Sequence, residues 1–389
     1  MSIREFDIII YGASGYTGRL VAEYLQAEYA GTDLKWAMAG RNAEKLQTVA
    51  GEMKIGGNVA IITANSDEPD SLAALAARTK AVITTVGPYQ LYGEPLVKAC
   101  AEASTDYVDL CGEPAWMKDM IDRYDTTAKK SGARIVLSCG FDSIPFDLGV
   151  YHLQQLAINQ HGGACERVRC RVRSMKGTFS GGTAASFMET MKRAQKQPEI
   201  LGWLKDPFSL SPETGADQPP IHKPMEEADL GSWATPFIMA SINTKNVHRS
   251  NALMGYKYGR EFKYGEMVLT GPGEQGEQLA KGMAKTNTFG DNPPKPGEGP
   301  TKEERETGSY DVMFVGDAPN GTRLITSVKG DKDPGYGSTS KMIAEAAMTL
   351  VKNSNGGGGV MTPAPAMAEH LIARLTAHAG LTFTVESAA

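Results

Sequence analysis

A chain of 389 residues is long enough for two domains, and its 41% hydrophobic and 22% charged content is ordinary for a globular protein. The net charge of -5 leaves no broad basic surface, so nucleic acid is not an expected partner. No apolar run reaches the length of a membrane-spanning helix and no secretory leader is present, so we expect a cytoplasmic protein without a transmembrane segment.

The five cysteines form no CxxC pair and have no histidine spacing suited to zinc, so no metal site is predicted. Cys139 closes a predicted strand near the presumed site and is either a reactive thiol or a core residue. Core packing is favoured, because a free cysteine usually behaves as a small buried apolar residue.

The first predicted strand is followed by a glycine-rich turn, in the stretch FDIIIYGASGYTGRL. Three contiguous isoleucines indicate a strand buried on both faces, and helical spacing begins at Leu20. In such a turn Gly12 permits the bend, Gly15 lets a pyrophosphate approach, and Gly18 lets helix and strand pack closely. A βα turn without a ligand is the alternative. The residues predicted to bind a dinucleotide here are Gly12, Ala13, Ser14, Gly15, Tyr16, Thr17 and Gly18.

Strands and helices alternate through residues 1–150, which predicts a Rossmann-type, doubly wound parallel sheet in an α/β domain. Ligands collect at the carboxyl ends of such strands. After the first strand, the others are predicted at residues 34–40, 58–64, 81–87, 107–112 and 134–140, with helices around 42–53, 70–79, 92–104 and 115–131.

The second strand ends in AGRN, where NAD enzymes usually carry an acidic residue that holds the ribose 2′-hydroxyl. Arg41 instead offers a guanidinium, which pairs well with a phosphate. We therefore expect NADP(H) as the cofactor. The alternative is a surface arginine at the start of a helix.

The fourth and sixth strands also end in candidate site residues. Val86, Gly87 and Pro88 are predicted to lie along the cofactor ribose, followed by the ring and hydroxyl of Tyr89. For the nearby Tyr92, ordinary packing is favoured.

The sixth strand leads into CGFDSIPFDLG, where Gly140 and Phe141 are predicted to contact the cofactor. Asp142 is equally consistent with an N-cap for the helix that follows, and either role would bring Ser143 to the cleft.

The second half has a different pattern, typical of an α+β substrate domain with an antiparallel sheet over residues 151–335. Residues 165–174 alternate as a strand does, and the Asn-Gly at 320–321 indicates a hairpin between 309–315 and 322–329. Residues 198–232 are predicted as a loop or flexible lid. In residues 336–389 we expect helices near 338–352 and 364–379 that pack back on the first domain.

Apolar side chains of the second half would either line a groove for an acyl chain or form core. They are Met225, Trp233, Phe237, Met239, Met254, Met267 and Met283.

Several motifs together resemble the saccharopine dehydrogenase-like proteins, and most of all their trans-acting enoyl reductase branch. They are GASGYTG, TTVGPYQLYGEPLVKAC, YVDLCGE, GFDSIPFDLG, FSGGTAAS and DPGYGSTSKM, and they extend over nearly the whole chain. Saccharopine-forming enzymes typically have a GxDPG-type loop where this chain reads GFDSIP. That departure argues against an amino-acid dicarboxylate as the substrate.

The resemblance implies NADPH-dependent reduction of a carbon–carbon double bond in an acyl or polyketide-derived lipid. The substrate would be hydrophobic, free or carrier-bound, and the partner a polyketide synthase or its acyl carrier; the oligomeric state is not specified. The developing enolate needs a hydrogen-bond donor. Candidates are Tyr89, ranked first, then Ser143, Lys176 and Tyr336. The alternative function is a lipid-associated, nucleotide-binding scaffold or redox sensor without turnover.

Overall fold

Two seven-stranded sheets organise the protein in the computed structural model, which describes residues 4–177, 181–286, 298–353 and 356–388. The first two residues of the FSGGTAAS motif lie outside these ranges. The first sheet has the strand order β13-β6-β5-β4-β1-β2-β3, with every pair parallel. Its strands, numbered in chain order, are β1 (Phe6–Tyr11), β2 (Trp36–Gly40), β3 (Ala60–Thr63), β4 (Thr79–Thr84), β5 (Asp106–Val108), β6 (Arg134–Val136) and β13 (Gly359–Met361).

This sheet confirms the predicted doubly wound parallel architecture. β1 is an interior strand next to the central β4, with β2 on its other side, and its three isoleucines have no exposed surface. β2 ends at Gly40 as predicted, whereas β4, β5 and β6 end earlier than predicted because the residues that follow them form loops at the carboxyl edge. The helices between the strands are α1 (Tyr16–Tyr29), α2 (Ala43–Glu52), α3 (Pro69–Ala77), α4 (Tyr89–Tyr92), α5 (Glu94–Ala103), α6 (Pro114–Ser131) and α7 (Ile144–Gln160).

The second sheet has the order β14-β12-β11-β7-β10-β9-β8 and is mostly antiparallel, as predicted. One pair departs from the prediction, because β10 runs parallel to β7. The predicted hairpin is confirmed as β11 and β12, which pair antiparallel. The strands are β7 (Arg167–Lys176), β8 (Met225–Glu227), β9 (Ser232–Pro236), β10 (Lys263–Gly271), β11 (Ser309–Asp317), β12 (Arg323–Gly330) and β14 (Leu381–Ala388).

Part of the region predicted as a loop or lid is regular structure, so that prediction is wrong for α9 and β8. Ile200 in α9 is fully buried and packs against Ala115 and Ala194, but one such contact produces no visible periodicity. The helices of the second half are α8 (Gly181–Lys196), α9 (Glu199–Lys205), α10 (Ala240–Leu253), α11 (Gly273–Met283), α12 (Lys302–Thr307), α13 (Thr339–Lys352) and α14 (Pro363–His378).

The C-terminal part contributes to both sheets, since β13 extends the first and β14 the second. α13 packs against α1, and the fully buried Glu345 joins them by accepting hydrogen bonds from Tyr24 at 2.6 Å and Tyr29 at 2.5 Å. Arg374 of α14 donates to the same carboxylate at 2.8 Å. The domain limits at 150 and 335 stay predictions, and residue 150 lies inside α7.

Candidate active site

The glycine turn after β1 has a backbone that larger residues could not adopt. Gly12 has a φ of +89°, and a Cβ there would lie 2.6 Å from Cγ2 of Val86. A Cβ on Gly18 would lie 2.2 Å from the carbonyl oxygen of Gly12, so α1 packs directly on the turn. Gly15 differs, because among the described residues its Cβ would have one neighbour within 4 Å, that same oxygen at 3.2 Å. The N-terminus of α1 therefore faces open space, as an anion-binding turn requires.

One cavity of about 940 Å³ extends from this turn across the carboxyl edge of the first sheet. Its volume lies near the upper end of the range typical of ligand sites. Of the predicted cofactor residues, the cavity is lined by Gly12, Ser14, Gly15, Tyr16, Thr17, Arg41, Val86, Gly87, Gly140 and Phe141. Ala13, Gly18 and Pro88 are not among its lining residues.

Two cationic side chains stand at the end of the cavity formed by the start of α2. Arg41 and Lys45 are both exposed and both line the cavity. Asn42 caps the helix between them, since its side chain accepts a hydrogen bond from the backbone N–H of Lys45 at 2.8 Å. Sequence reasoning missed Lys45, although a spacing of four residues from Arg41 on a helix start was visible. Together the two cations and the helix N-terminus form a site suited to a phosphate.

The hydroxyl of Tyr89 is held by the backbone below the cavity. It donates to the carbonyl oxygen of Thr84 at 3.2 Å and accepts from the N–H of Leu110 at 3.0 Å. The side chain is 5% exposed, and its ring lies 5.5 Å from that of Trp116. Tyr89 therefore lines the cavity with a ring, while its hydroxyl ties the loop after β4 to the loop after β5.

Asp142 places a carboxyl group in the cavity lining beside Gly112. A Cβ on Gly112 would lie 3.2 Å from its Oδ2. Burial raises the pKa of Asp142 to about 7, since desolvation penalises the charged form. The expected N-cap role is wrong: Ser143 occupies the N-cap of α7, with a φ of +150°. An acid with such a pKa in a cleft is a candidate for proton transfer, which sequence reasoning missed.

Ser143 points away from the cavity into the protein. It is fully buried, donates to Oδ1 of Asn243 at 2.9 Å and accepts from Nδ2 of Asn246 at 2.6 Å. These bonds fix the start of α7 to α10 and leave the hydroxyl outside the cavity lining.

The other two donor candidates lie apart. Lys176 is exposed near the end of β7, where Nζ contacts Thr307 Oγ1 at 3.3 Å, and it does not line the cavity. Tyr336 does line the cavity, with its ring edge-on to that of Tyr16 at 4.7 Å. Tyr16 in turn donates a hydrogen bond to the carbonyl oxygen of Pro300. The structure thus brings Tyr336 to the glycine turn.

The far end of the cavity is walled by apolar side chains of the second half. The methionine-lined groove is wrong in its details, because Met239 alone of that predicted set lines the cavity. Met267 lies inside the second sheet without exposed surface, whereas Met283 is 43% exposed at the end of α11. The apolar residues of the second half that do line the cavity are Met175, Phe187, Leu204, Ile238, Met239 and Ile242, and Tyr92 of α4 lies in the same lining.

The part of the chain that the structure describes has neither a clustered set of metal ligands nor a membrane-spanning helix. No group of three or more histidine, cysteine, aspartate or glutamate side chains there is arranged to hold a metal ion. No helix in the same residues combines the length and apolar character needed to span a bilayer. Cys139 is fully buried, and burial raises the pKa of its thiol, which fits core packing.

Similarity to known proteins shows which family this chain belongs to. Residues 8–136 match the saccharopine dehydrogenase NADP-binding domain. A Mycobacterium tuberculosis protein provisionally named a trans-acting enoyl reductase is 40% identical, over 96% of each chain. The trans-acting enoyl reductase of Mycobacterium bovis is 37% identical, also over 96% of each chain. The chain belongs to the saccharopine dehydrogenase-like family, in its trans-acting enoyl reductase branch.

Membership of this family agrees with a nucleotide cradle at the edge of a parallel sheet, in a domain named for NADP. It makes the chain an NADP-dependent oxidoreductase. Among solved structures, saccharopine dehydrogenase (L-glutamate-forming) from Saccharomyces cerevisiae is 15% identical, with a TM-score of 0.49 over 98% of this chain and 100% of that one.

Proposed function

We propose that the protein reduces the carbon–carbon double bond of an α,β-unsaturated acyl group with NADPH. One observation carries this proposal: a single cavity joins a glycine-rich nucleotide cradle to an apolar compartment, with the carboxyl group of Asp142 in the same lining. The names of relatives that are 37–40% identical over nearly the whole chain point to the same reaction.

The cofactor fits the residues present. The turn at Gly15 leaves space where a pyrophosphate would lie against the start of α1, and a Cβ there would reduce that space. Arg41 and Lys45 would hold a 2′-phosphate, which NADH lacks, so we expect a preference for NADPH. When bound, NADPH supplies a hydride to the substrate.

Asp142 would hold the proton that the reaction needs at the α-carbon. With a pKa raised to about 7, a substantial fraction of this group carries its proton at neutral pH. A general acid works best when its pKa lies close to the working pH.

The substrate would be a hydrophobic acyl group, because the compartment beyond Asp142 is walled by apolar residues of α9 and α10 such as Leu204 and Ile242. We further propose that the acyl group arrives as a thioester on the carrier of a polyketide synthase, as the trans-acting relatives suggest. A free acyl thioester would enter the same compartment.

The test is consumption of NADPH by the purified protein with α,β-unsaturated acyl thioesters of increasing chain length. We expect turnover that rises with chain length and a saturated product detected by mass spectrometry. Binding of NADPH without consumption with any thioester, free or carrier-bound, would instead support a scaffold or redox sensor without turnover.

A further inference from the structure

A serine and a buried glutamate form a pair at the edge of the cavity, and neither has a role in the reaction described above. Ser186 in α8 lines the cavity, and its Oγ donates a hydrogen bond to Oε1 of Glu113 at 2.6 Å. Glu113 is 2% exposed. The two residues close the motifs YVDLCGE and FSGGTAAS, which lie far apart in the chain and meet here.

Glu113 also holds the start of α4, just after the loop predicted to meet the nicotinamide. Its Oε1 accepts from the backbone N–H of Tyr89 and its Oε2 from that of Gln90, both at 2.9 Å. These two bonds from the N-cap residue of α6 satisfy the first N–H groups of α4. The third donor, the hydroxyl of Ser186, comes from a different helix and reaches Glu113 across the cavity edge.

The position of Ser186 is itself fixed. Nε2 of Gln90 donates to the carbonyl oxygen of Ser186 at 3.3 Å and to Oγ1 of Thr190 at 3.0 Å. Thr190 is buried against the same surface. The hydroxyl is therefore held beside the loop after β4 by contacts on both sides, as a preorganised donor must be.

We propose that Ser186 Oγ is the hydrogen-bond donor to the acyl carbonyl oxygen, and that Glu113 orients it. This inference rests on the proposed function. As the double bond accepts hydride at its β-carbon, electron density moves to the carbonyl oxygen, and the Ser186 hydrogen bond strengthens there. Proton delivery to the α-carbon by Asp142 then restores the carbonyl. No covalent bond to Ser186 forms or breaks.

A serine hydroxyl has one proton, so it can serve the carbonyl only if Glu113 stops receiving it. Rotation of the Ser186 hydroxyl from Glu113 Oε1 to the carbonyl oxygen frees that proton for the substrate. Glu113 keeps its two backbone donors when this happens, from the N–H groups of Tyr89 and Gln90.

The other candidate donors fit this role less well. The hydroxyls of Tyr89 and Ser143 are engaged with the backbone and with two asparagines, as described above. Tyr336 lies beside Tyr16 at the glycine turn, where a cofactor phosphate or ribose is expected. Tyr336 is therefore the alternative donor, and the experiment below compares it with Ser186.

The direct test measures the carbonyl stretching frequency of a bound saturated acyl thioester, isotope-labelled at the carbonyl carbon, by infrared difference spectroscopy with NADP⁺ present. We expect a lower frequency in the wild type and in Ser186→Thr, which keeps the hydroxyl, than in Ser186→Ala. Met188→Ala is the matched control, since Met188 lies on the same helix, is 56% exposed and is outside the cavity lining.

Turnover gives the second measurement. Loss of one oxyanion donor typically lowers kcat by about a hundredfold or more, and we expect this for Ser186→Ala with an unchanged Kd for NADPH. A kcat within about twofold of wild type, or a carbonyl frequency that shifts in Tyr336→Phe and not in Ser186→Ala, would overturn the inference. If the wild type binds the thioester with a Ser186-dependent shift but reduces no enoyl thioester, the proposed function fails and the inference stands; absence of thioester binding overturns both.

Discussion

Replacing Asp142 with asparagine is expected to change activity and stability in opposite directions. The substitution keeps the shape of the side chain and removes its ionisable proton. At neutral pH the wild-type carboxyl is partly protonated, because burial raises its pKa to about 7. Asparagine cannot supply a proton to the α-carbon, so kcat should fall by about a hundredfold, within the range known for a lost general acid.

The stability effect follows from the same pKa. The unfolded chain has the ordinary value of 3.8 and the folded chain a value of about 7. Because the folded value is raised, stability is complete below the unfolded pKa and is lost as the pH rises through the folded pKa. A difference of about three between the two pKa values corresponds to about 4 kcal/mol, which is the largest loss of unfolding free energy that the ionisation of Asp142 can cause above pH 7.

The assay is chemical denaturation of wild type and Asp142→Asn near pH 3 and again near pH 8, on either side of the two pKa values. The difference in unfolding free energy should be small at the lower pH and should favour the variant by about 1–4 kcal/mol at the higher pH. Asp109 and Asp147 also have pKa values raised to about 7 by burial, but they are common to both proteins and cancel in the difference.

Activity supplies the matching pH profile. In the wild type, kcat should decline as the pH rises through about 7, because the proton is lost from Asp142. The residual activity of Asp142→Asn should lack this alkaline decline, while the Kd for NADPH stays the same. A variant that is less stable than wild type at high pH, or that keeps the same alkaline decline, would refute the assignment of a raised pKa and of the acid role.

Three further predictions concern the cofactor and its loops. Arg41→Ala and Lys45→Ala should each weaken NADPH binding by about 1–3 kcal/mol, because each removes a charged contact to phosphate, and should leave the Kd for NADH unchanged. Equal losses of affinity for NADPH and NADH, measured by calorimetry, would argue against a 2′-phosphate site. Gly15→Val should fold but not bind NADPH, whereas Gly18→Ala should lower the melting temperature, because the Cβ of the new alanine would lie 2.2 Å from the backbone. Normal NADPH binding by Gly15→Val would show that the turn has only a structural role. Tyr89→Phe should cost about 1 kcal/mol of stability and change kcat less than about threefold, as expected for a hydroxyl that is hydrogen-bonded to two backbone groups. A much larger loss of kcat would make the Tyr89 hydroxyl the hydrogen-bond donor to the substrate carbonyl.

The nucleotide domain was largely predictable because its signals are local. Three buried isoleucines followed by spaced glycines describe β1 and its turn without reference to the rest of the chain. Arg41 could be placed in the same way, by its distance from the turn. β13 was missed, because three residues after a run of glycines give no periodic signal.

The second half was less predictable because tertiary contacts decide which residues are buried. α10 is polar in sequence, yet Asn243, Lys245 and Asn246 are almost completely buried. Nζ of Lys245 is satisfied by the carbonyl oxygen of Leu204 at 2.9 Å, and the asparagines hold Ser143. The sequence of such a helix contains no hydrophobic pattern that would predict its burial.

In the candidate site, too, some features were predictable from local sequence and others depended on tertiary contacts. Neighbouring residues of CGFDSIPFDLG were expected at the cleft, but local sequence could not tell which of Asp142 and Ser143 would face it. The backbone settles this, since Ser143 takes the N-cap and turns inward to α10, while Asp142 joins the cavity lining. Glu113 and Ser186 were invisible as a pair, because only folding brings their motifs together.

The most direct test of the reaction is transfer of isotope from the cofactor. NADPH carrying deuterium at the transferable position of the nicotinamide is incubated with the protein and an α,β-unsaturated acyl thioester, and the product is analysed by mass spectrometry and NMR. We predict a saturated product with one deuterium on the β-carbon, and none when NADPH is omitted. Deuterium at any other carbon, or an unreduced substrate whether free or carrier-bound, would contradict enoyl reduction by this protein.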